Sequence, residues 1–410
     1  MLSQKTIDIV KSTVPVLEEY GTTITKRFYQ MMFENHPELL NIFNHANQQK
    51  GRQQTALANT VYAAAVYIDR LEEIIPVVKQ IAHKHRSLGV KPEHYPIVGE
   101  NLLAAIKDVL GDAATDEIIH AWAEAYGVIA DAFINVEKEM YEAAGWDNFI
   151  PFMVAKKVKE SDEITSFYLK PADNRKLPSF IPGQYISVKL NQIPGERYTH
   201  IRQYSLSDAP GNDYYRISVK REKDGIQPDG VVTNYLHDQV HEGDQLLVSA
   251  PAGDFTVDLN SNDPIVLIAG GVGVTPLMSM MNHVMAAQPE REIVMIQAVR
   301  NGRVHAFRED ITAKNFEHPS LHYYACYSDP TDEDRQAGSF HKEGFVTKEW
   351  LDEIVPNVAK SQFYFCGPVG FMKHIFATLK EMGVSEEQIH YEFFGPAISI
   401  QQPEEVAANQ

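Results

Sequence analysis

The sequence predicts three consecutive domains: an all-α domain, an antiparallel β-barrel, and an α/β domain with a parallel sheet. Three stretches carry that reading. Residues 1–146 hold few glycines and prolines and repeat apolar residues at helical spacing, as in "LEEIIPVVKQIAHKH" and "HAWAEAYGVIADAFINVEKEMY". Residues 151–258 switch to short β-rich runs, "SFYLK", "QYISVKL", "YRISVKR" and "QLLVSAP", separated by Gly, Pro and Asp. Residues 262–399 alternate apolar strands ("IVLIA", "EIVMIQAV", "LHYYACY", "QFYFCG") with helical segments, the pattern of a parallel sheet. The polar end, residues 400–410, is expected to form a flexible tail.

Composition narrows the function. With 410 residues the chain is too long for one core, and 44% hydrophobic with 22% charged residues is ordinary for a soluble globular protein. A formal charge of -18 argues against nucleic acid as a partner, so any anionic ligand must meet local cations. The two cysteines, Cys326 and Cys366, leave no disulfide framework and no thiolate metal cluster, which suits a reducing cytosol. The N-terminus lacks the apolar run of a signal peptide, and no run of eighteen apolar residues occurs. A cytoplasmic protein with no obligatory membrane contact, working as a monomer, is expected.

In the helical domain, "IAHKHRSLGVKPEHY" (81–95) places His83 and His85 two residues apart, about 200° around a helix. The apolar stripe Leu71, Ile74, Val78, Ile81, Ala82 leads to His85 and then Leu88, so His85 faces inward. His83 then faces outward beside Lys84, and His83 and His94 read as surface residues. An inward histidine is compatible with a satisfied core residue as well as with a ligand. Further on, Ala130, Phe133, Glu137 and Met140 share one face, which puts a carboxylate in an apolar stripe. Either Glu137 snorkels to solvent or it is buried and needs a partner. An imidazole N–H is a good one, because a carboxylate behind a ligating histidine fixes its tautomer and makes it more electron-donating. Tyr95, just after this helix, is placed to complete the chain. Gln53 and Leu57 are i, i+4 neighbours on one face, and Tyr29 lies one turn from Thr25 and Phe33.

"RFYQMMFENHPELLNIFN", "QQTALANTVYAAA" and "KHRSLGVKPEHYPIVGENLL" resemble the globin domain of bacterial and yeast flavohaemoglobins. The resemblance implies His85 as the axial haem ligand and sole metal ligand, with Tyr95 and Glu137 as its charge-relay partners and Lys84 beside it at the haem. It places Tyr29, Gln53 and Leu57 over the opposite haem face and Phe43 against the porphyrin.

The second domain opens with "PGQYISV" and "IRQYSLSDAP". Arg202, Gln203, Tyr204 and Ser205 match the R-x-Y-S motif of ferredoxin-reductase-like flavoproteins, in which arginine pairs with pyrophosphate oxygens and tyrosine flanks the flavin. The serine can hydrogen-bond near the flavin N5. In "GVVTNYLH" (230–237), Gly230 permits close backbone approach, and amides near Val232 and Thr233 can bind phosphate at a helix N-terminus. This resembles the family's G-x-V-S-N pattern, with Thr233 in place of serine. Tyr185 would contact the adenine side of FAD by resemblance, and "KDGIQPD" reads as an exposed loop.

In the third domain, "PIVLIAGGVGVTPLMSMM" reads as a buried strand, a glycine turn spanning Gly270, Gly271, Val272, Gly273 and Val274, and a helix with Thr275 as N-cap and Pro276 at N1. The pattern is G-x-G-x-x-P, which fits a dinucleotide pyrophosphate and also fits a plain strand-to-helix turn. "FYFCGPVGFM" repeats the geometry at Cys366, Gly367 and Pro368. By resemblance that turn lies beside the nicotinamide; Cys366 reads equally as a small buried apolar residue. "YEFFGP" resembles the family's closing segment, with Glu392, Phe393, Phe394, Gly395 and Pro396 near the isoalloxazine. Arg300 and Arg303 in "QAVRNGRVHAF" tolerate a 2′-phosphate or form a solvated turn, so NADH and NADPH both stay open.

The motifs occur in the family's order over nearly the whole chain. What the resemblance implies is a nitric oxide dioxygenase that turns NO and O2 into nitrate for detoxification, with haem b and FAD as cofactors. Electrons would pass from NAD(P)H to FAD to haem, since a two-electron donor feeding a one-electron iron needs a flavin between them. The alternatives are an O2-binding or sensing globin kept ferrous by its reductase, and an NAD(P)H oxidase or flavin reductase with a haem-free helical domain.

Overall fold

A computed structural model describes residues 2–43, 51–223 and 229–394. The tail at 400–410, Gly395, Pro396 and most of the "KDGIQPD" loop lie outside the described residues. Among the described residues no helix is long and apolar enough to cross a membrane.

The first region carries α1 (Gln4–Ser12), α2 (Val14–Asn35), α3 (Arg52–Val66), α4 (Ile75–Leu88), α5 (His94–Leu110) and α6 (Asp116–Ala143). Its helix starts follow local chemistry: the Ser3 and Thr115 hydroxyls accept bonds from Thr6 N and Ile118 N. Ile24, Phe28 and Met32 of α2 pack on Leu102, Ala105 and Ile106 of α5 and on Trp122 and Ala125 of α6. Each such side chain taken out of water contributes about 1.5–3 kcal/mol. The predicted stripe through His85 spans two elements, because Leu71 and Ile74 sit on a 3-10 turn and α4 begins only at Ile75. Pro76 is the reason: without an N–H it fits the first turn of a helix and not its interior.

The second region holds β1 (Phe149–Lys159), β2 (Ile164–Pro171), β3 (Tyr185–Leu190), β4 (His200–Ser205), β5 (Tyr215–Lys220), α7 (Val231–Gln239) and β6 (Gln245–Ser249). They form a six-stranded sheet in the order β4-β3-β6-β1-β2-β5. An antiparallel bridge between Leu206, just past β4, and Ile217 on β5 joins its two edges, as a barrel requires. A register shift between Val154 and Lys156 bends β1.

The third region alternates β7 (Ile265–Gly270), α8 (Val274–Ala287), β8 (Ile293–Val299), α9 (Arg308–Glu317), β9 (Leu321–Tyr327), α10 (Asp332–Ala337), β10 (Lys342–Glu343), α11 (Lys348–Ile354), β11 (Gln362–Cys366), α12 (Val369–Glu381) and β12 (Ile389–Glu392). The sheet order is β10-β9-β8-β7-β11-β12, and its pairings are parallel. β7 is buried along its whole length, as the centre of a sheet covered on both faces must be. From β7 the chain winds outward through β8, β9 and β10, then returns to β11 on the other side of β7. Ligands of such sheets bind at that reversal, beyond the C-terminal strand ends. Here those ends are Gly270 and Cys366.

By their contacts the residues group into two units. One comprises Met1–Ile150, Ile186–Gln203 and Leu246–Asp254; the other comprises Pro151–Tyr185, Tyr204–Gln245 and Phe255–Gln410.

Candidate functional site

His85 and Glu137 meet across α4 and α6. His85 Nδ1 lies 2.7 Å from Glu137 Oε1 and 3.2 Å from the Tyr95 hydroxyl, and Tyr95 donates to the same Oε1 at 2.5 Å. Glu137 is 2% exposed. A carboxylate only accepts, so the imidazole carries its proton on Nδ1 and leaves the Nε2 lone pair available. Burial first, then the Glu137 charge, holds the Tyr95 hydroxyl protonated far above the ordinary phenol range. Glu137 is also among the residues lining a cavity with Pro92, Ile134 and Tyr141. The side chain of His85 is 32% exposed despite this anchoring. The imidazole is thus fixed at Nδ1 and part of the ring remains accessible.

Two residues that sequence reasoning passed over brace the relay. The Tyr126 hydroxyl donates to the Tyr95 carbonyl at 2.6 Å, and Tyr141 donates to the Val90 carbonyl at 2.7 Å. Tyr126 reaches its position because α5 has Gly99 there: a Cβ would stand 2.5 Å from the Tyr126 ring. Both tyrosines sit at helical spacing among apolar residues, which reads as ordinary core.

On α2 and beyond, Tyr29, Phe33 and Phe43 form an aromatic cluster with ring centroids 5.4–5.8 Å apart. Gln53 and Leu57 are half-buried on α3. Among the described residues the buried Gln53 Oε1 finds no hydrogen-bond partner. An orphaned polar atom of this kind asks for a ligand or water. Taken with the exposed imidazole, these residues fit a flat apolar group held by histidine.

The two histidines read as surface residues are not fully so. His83 is half-buried, with a buried Nδ1 that has no hydrogen-bond partner among the described residues, and burial lowers its pKa. The helical wheel gave its angle correctly but not the chain segment that packs there. His94 is half-buried too, and its Nδ1 accepts from Lys91 N at 3.1 Å. Lys84 is half-buried beside them.

The R-x-Y-S residues occupy β4. Arg202, Gln203 and Tyr204 are half-buried and Ser205 is buried, while Tyr185 begins β3. Gln203 Nε2 donates to Ser187 Oγ at 3.4 Å. Gly230 is the N-cap of α7, and Val232 and Thr233 lie in its first turn. Gly230's close neighbours are the chain itself, Glu222 and Thr233. The Thr233 hydroxyl donates to Gly230 O and accepts from Glu222 N, both at 3.2 Å. It knits the turn at the start of the helix.

At the third domain's strand ends, helix α8 begins two residues earlier than predicted. Gly271–Gly273 winds as a 3-10 turn and runs straight into α8, whose N-cap is Gly273. Thr275 is therefore not the N-cap and Pro276 is not at N1. The Thr275 hydroxyl donates back to Val272 O at 3.0 Å. Gly273 has no alternative: a Cβ there would lie 2.0 Å from the Cys366 carbonyl oxygen. That contact brings the glycine turn against the Cys366–Gly367–Pro368 turn at the reversal point. Cys366 is fully buried, its Sγ donates to Glu392 O at 3.3 Å, and burial pushes the thiol well up. It is an unreactive thiol. Glu392 and Phe393 are half-buried, and Phe394 is 46% exposed. Arg300 bonds to Glu163, while Arg303 is exposed.

Comparison with known proteins agrees with this arrangement in order and extent. Three family models match: "Globin" at 26–133, "Oxidoreductase FAD-binding domain" at 151–257 and "Oxidoreductase NAD-binding domain" at 267–376. The flavohemoprotein of Bacillus thuringiensis subsp. konkukian is 62% identical over 406 residues, covering 98% of this chain and all of its own. The chain belongs to the flavohemoprotein family. The Bacillus subtilis flavohemoprotein is 55% identical over 408 residues, covering 98% of this chain. Among solved structures, the Malassezia yamatoensis flavohemoglobin, with bound FAD and heme, covers 96% of this chain and all of its own at 30% identity and TM-score 0.82. The flavohem-like FAD/NAD-binding domain of the nitric oxide dioxygenase of Vibrio cholerae covers 61% of this chain and all of its own at 36% identity and TM-score 0.55. As a flavohemoprotein relative, the chain is an oxidoreductase with a globin domain, an FAD-binding domain and an NAD-binding domain.

Proposed function

We infer that the chain is a nitric oxide dioxygenase, binding haem, FAD and NADH or NADPH and converting NO and O2 to nitrate. The observation that carries this reading is the His85 imidazole, anchored by Glu137 and Tyr95 and left open at Nε2, in one chain with two oxidoreductase domains. When bound, haem supplies an iron that takes O2 and single electrons, and FAD divides the dinucleotide's hydride into such electrons.

His85 would hold the haem iron, and Glu137, which accepts the bond from the Nδ1 proton, would make the imidazole more electron-donating. Tyr95 donates to the same oxygen and keeps the carboxylate in place. On the opposite face, Tyr29 and Gln53 present hydrogen-bonding groups to a small polar ligand, while Leu57 and Phe43 keep the space apolar. Lys84 offers a cation to the haem carboxylates. Arg202 and the first amides of α7, around Gly230, Val232 and Thr233, hold the flavin's pyrophosphate. Tyr185, Gln203, Tyr204 and Ser205 contact the flavin nucleotide, with Glu392, Phe393 and Phe394 at its ring. The turn Gly270–Pro276 receives the nicotinamide dinucleotide's pyrophosphate, with Cys366, Gly367 and Pro368 beside its nicotinamide. The nitric oxide dioxygenase of Vibrio cholerae, similar across the reductase region, supports the substrate assignment. Two buried free thiols suit a cytoplasmic setting.

Each NO takes up one O2 and one electron to become nitrate, so one dinucleotide serves two NO. The test is an end-point balance in air: nitrate formed at two per NADH oxidised supports the reading. NADH oxidation without nitrate would make the protein an oxidase.

A further inference from the structure

Arg86 follows His85 and is 7% exposed, an unusual place for a guanidinium. Its Nη2 donates to the carbonyl of Pro251, two residues beyond the end of β6. From there a chain of contacts runs back through the same unit. Ser249, the last residue of β6, accepts at Oγ from Ser187 N of β3 at 2.9 Å. Ser187 Oγ in turn accepts from Gln203 Nε2 at 3.4 Å, and Gln203 belongs to the R-x-Y-S motif on β4. His83, three residues before Arg86 and so on the same side of α4, is close enough for the Asp254 charge to act on it. The last turn of α4 is thus seated on Pro251–Asp254 by a buried cation, while the same turn carries His85.

We propose that Arg86 is a positioning residue that sets the approach of the flavin to the haem, by clamping the His85 helix to the end of β6 and through it to the R-x-Y-S strand. The proposal rests on the haem and flavin assignments above. The clamped step is the passage of one electron from reduced flavin to ferric haem, with no bond made or broken. A planar guanidinium bonded in a buried site holds direction as well as distance, which a packed apolar side chain does not. His85 Nδ1 is held by Glu137 and Tyr95, whereas the Arg86 guanidinium bonds to the Pro251 carbonyl, so the clamp and the relay are separate contacts.

The test uses full-length Arg86→Ala and Arg86→Lys proteins loaded with haem and FAD and mixed anaerobically with NADH in a stopped-flow instrument. In the alanine variant haem reduction slows about tenfold, the effect of losing one buried charge-assisted hydrogen bond. Flavin reduction, the haem spectrum and the haem potential stay as in wild type. Lysine, which can still donate to Pro251 O, restores part of the rate. Hydrogen exchange in the cofactor-free proteins gives a separate readout: amides around Pro251–Asp254 exchange faster in Arg86→Ala and less so in Arg86→Lys. Haem reduction at the wild-type rate in both variants would overturn the proposal. So would a shifted haem potential with unchanged exchange at Pro251–Asp254, because Arg86 would then act through His85. Should the alanine variant fail to fold, a lysine variant with wild-type haem reduction and faster exchange would equally refute it. Wild-type protein that takes up neither haem nor FAD would instead refute the cofactor reading, and the exchange data would still judge the clamp.

Discussion

Glu137 is the centre of the buried relay, because its Oε1 takes hydrogen bonds from both His85 and Tyr95. Glu137→Gln keeps the shape and removes the charge, so the imidazole should donate less electron density. We expect the haem to be retained, the iron–histidine stretch to move to lower frequency in resonance Raman spectra, and NO turnover to fall by about tenfold or more. An unmoved stretch would contradict the relay. On the other face, Tyr29→Phe should speed O2 release about tenfold or more and lower NO turnover, the consequence of one lost hydrogen bond to a partly charged ligand. Stopped-flow O2 displacement measures it, and an unchanged off-rate would remove Tyr29 from the mechanism. His85 and Glu137 were legible because both interrupt apolar stripes at a fixed angular spacing. His83 and Arg86 were not, since a helical wheel gives an angle and says nothing of which distant segment covers it. For Arg86 that segment lies 165 residues away in sequence.

Among the elements, the two strand-to-helix turns of the third domain were located correctly, while the N-cap predicted for the first of them, Thr275, was not. Glycine at 270, 271 and 273 marked the turn, but the start of α8 depends on the 3-10 winding of Gly271–Gly273, which propensity does not signal. Gly273→Ala places a methyl 2.0 Å from the Cys366 carbonyl oxygen, so the two turns must separate. NADH-dependent ferricyanide reduction should fall with a raised KM, and the thermal midpoint should drop; unchanged values for both would mean that the contact is dispensable. Between β8 and β9 lies a buried polar cluster the sequence did not reveal. His305 bonds through Nδ1 to the Tyr327 hydroxyl at 2.7 Å, and through Nε2 to Gln297 Oε1 at 2.9 Å and the Tyr323 hydroxyl at 2.6 Å. Burial lowers its pKa from 6.5 to about 3. Between those values the unfolded chain binds a proton that the folded protein refuses. Stability therefore falls as pH drops from about 6.5 toward about 3, by up to about 1.4 kcal/mol per pH unit. Calorimetry of this domain's transition should show a shallower loss for His305→Gln over that range; the same slope as wild type would contradict the assignment.

At the scale of the whole molecule, the order of helical, β-rich and α/β regions was legible because each has its own period: 3.6, 2, and an alternation of the two. The contact grouping was not. The last turn of α4 bonds to the segment after β6, and Trp146 Nε1 donates to Val248 O at 3.2 Å. Pairings between segments a hundred or more residues apart leave no periodic mark on either one. The engagement of Arg300 by Glu163, 137 residues away in sequence, was equally hidden. The central claim concerns the molecule as a whole: this one chain removes NO by joining it to O2. An NO electrode follows it directly, with haem- and FAD-loaded protein and NADH in air-saturated and then in argon-flushed buffer. The account predicts rapid loss of the NO signal in air and little loss under argon. Equal rates in the two buffers, or NADH oxidised in air while the NO signal persists, would contradict it.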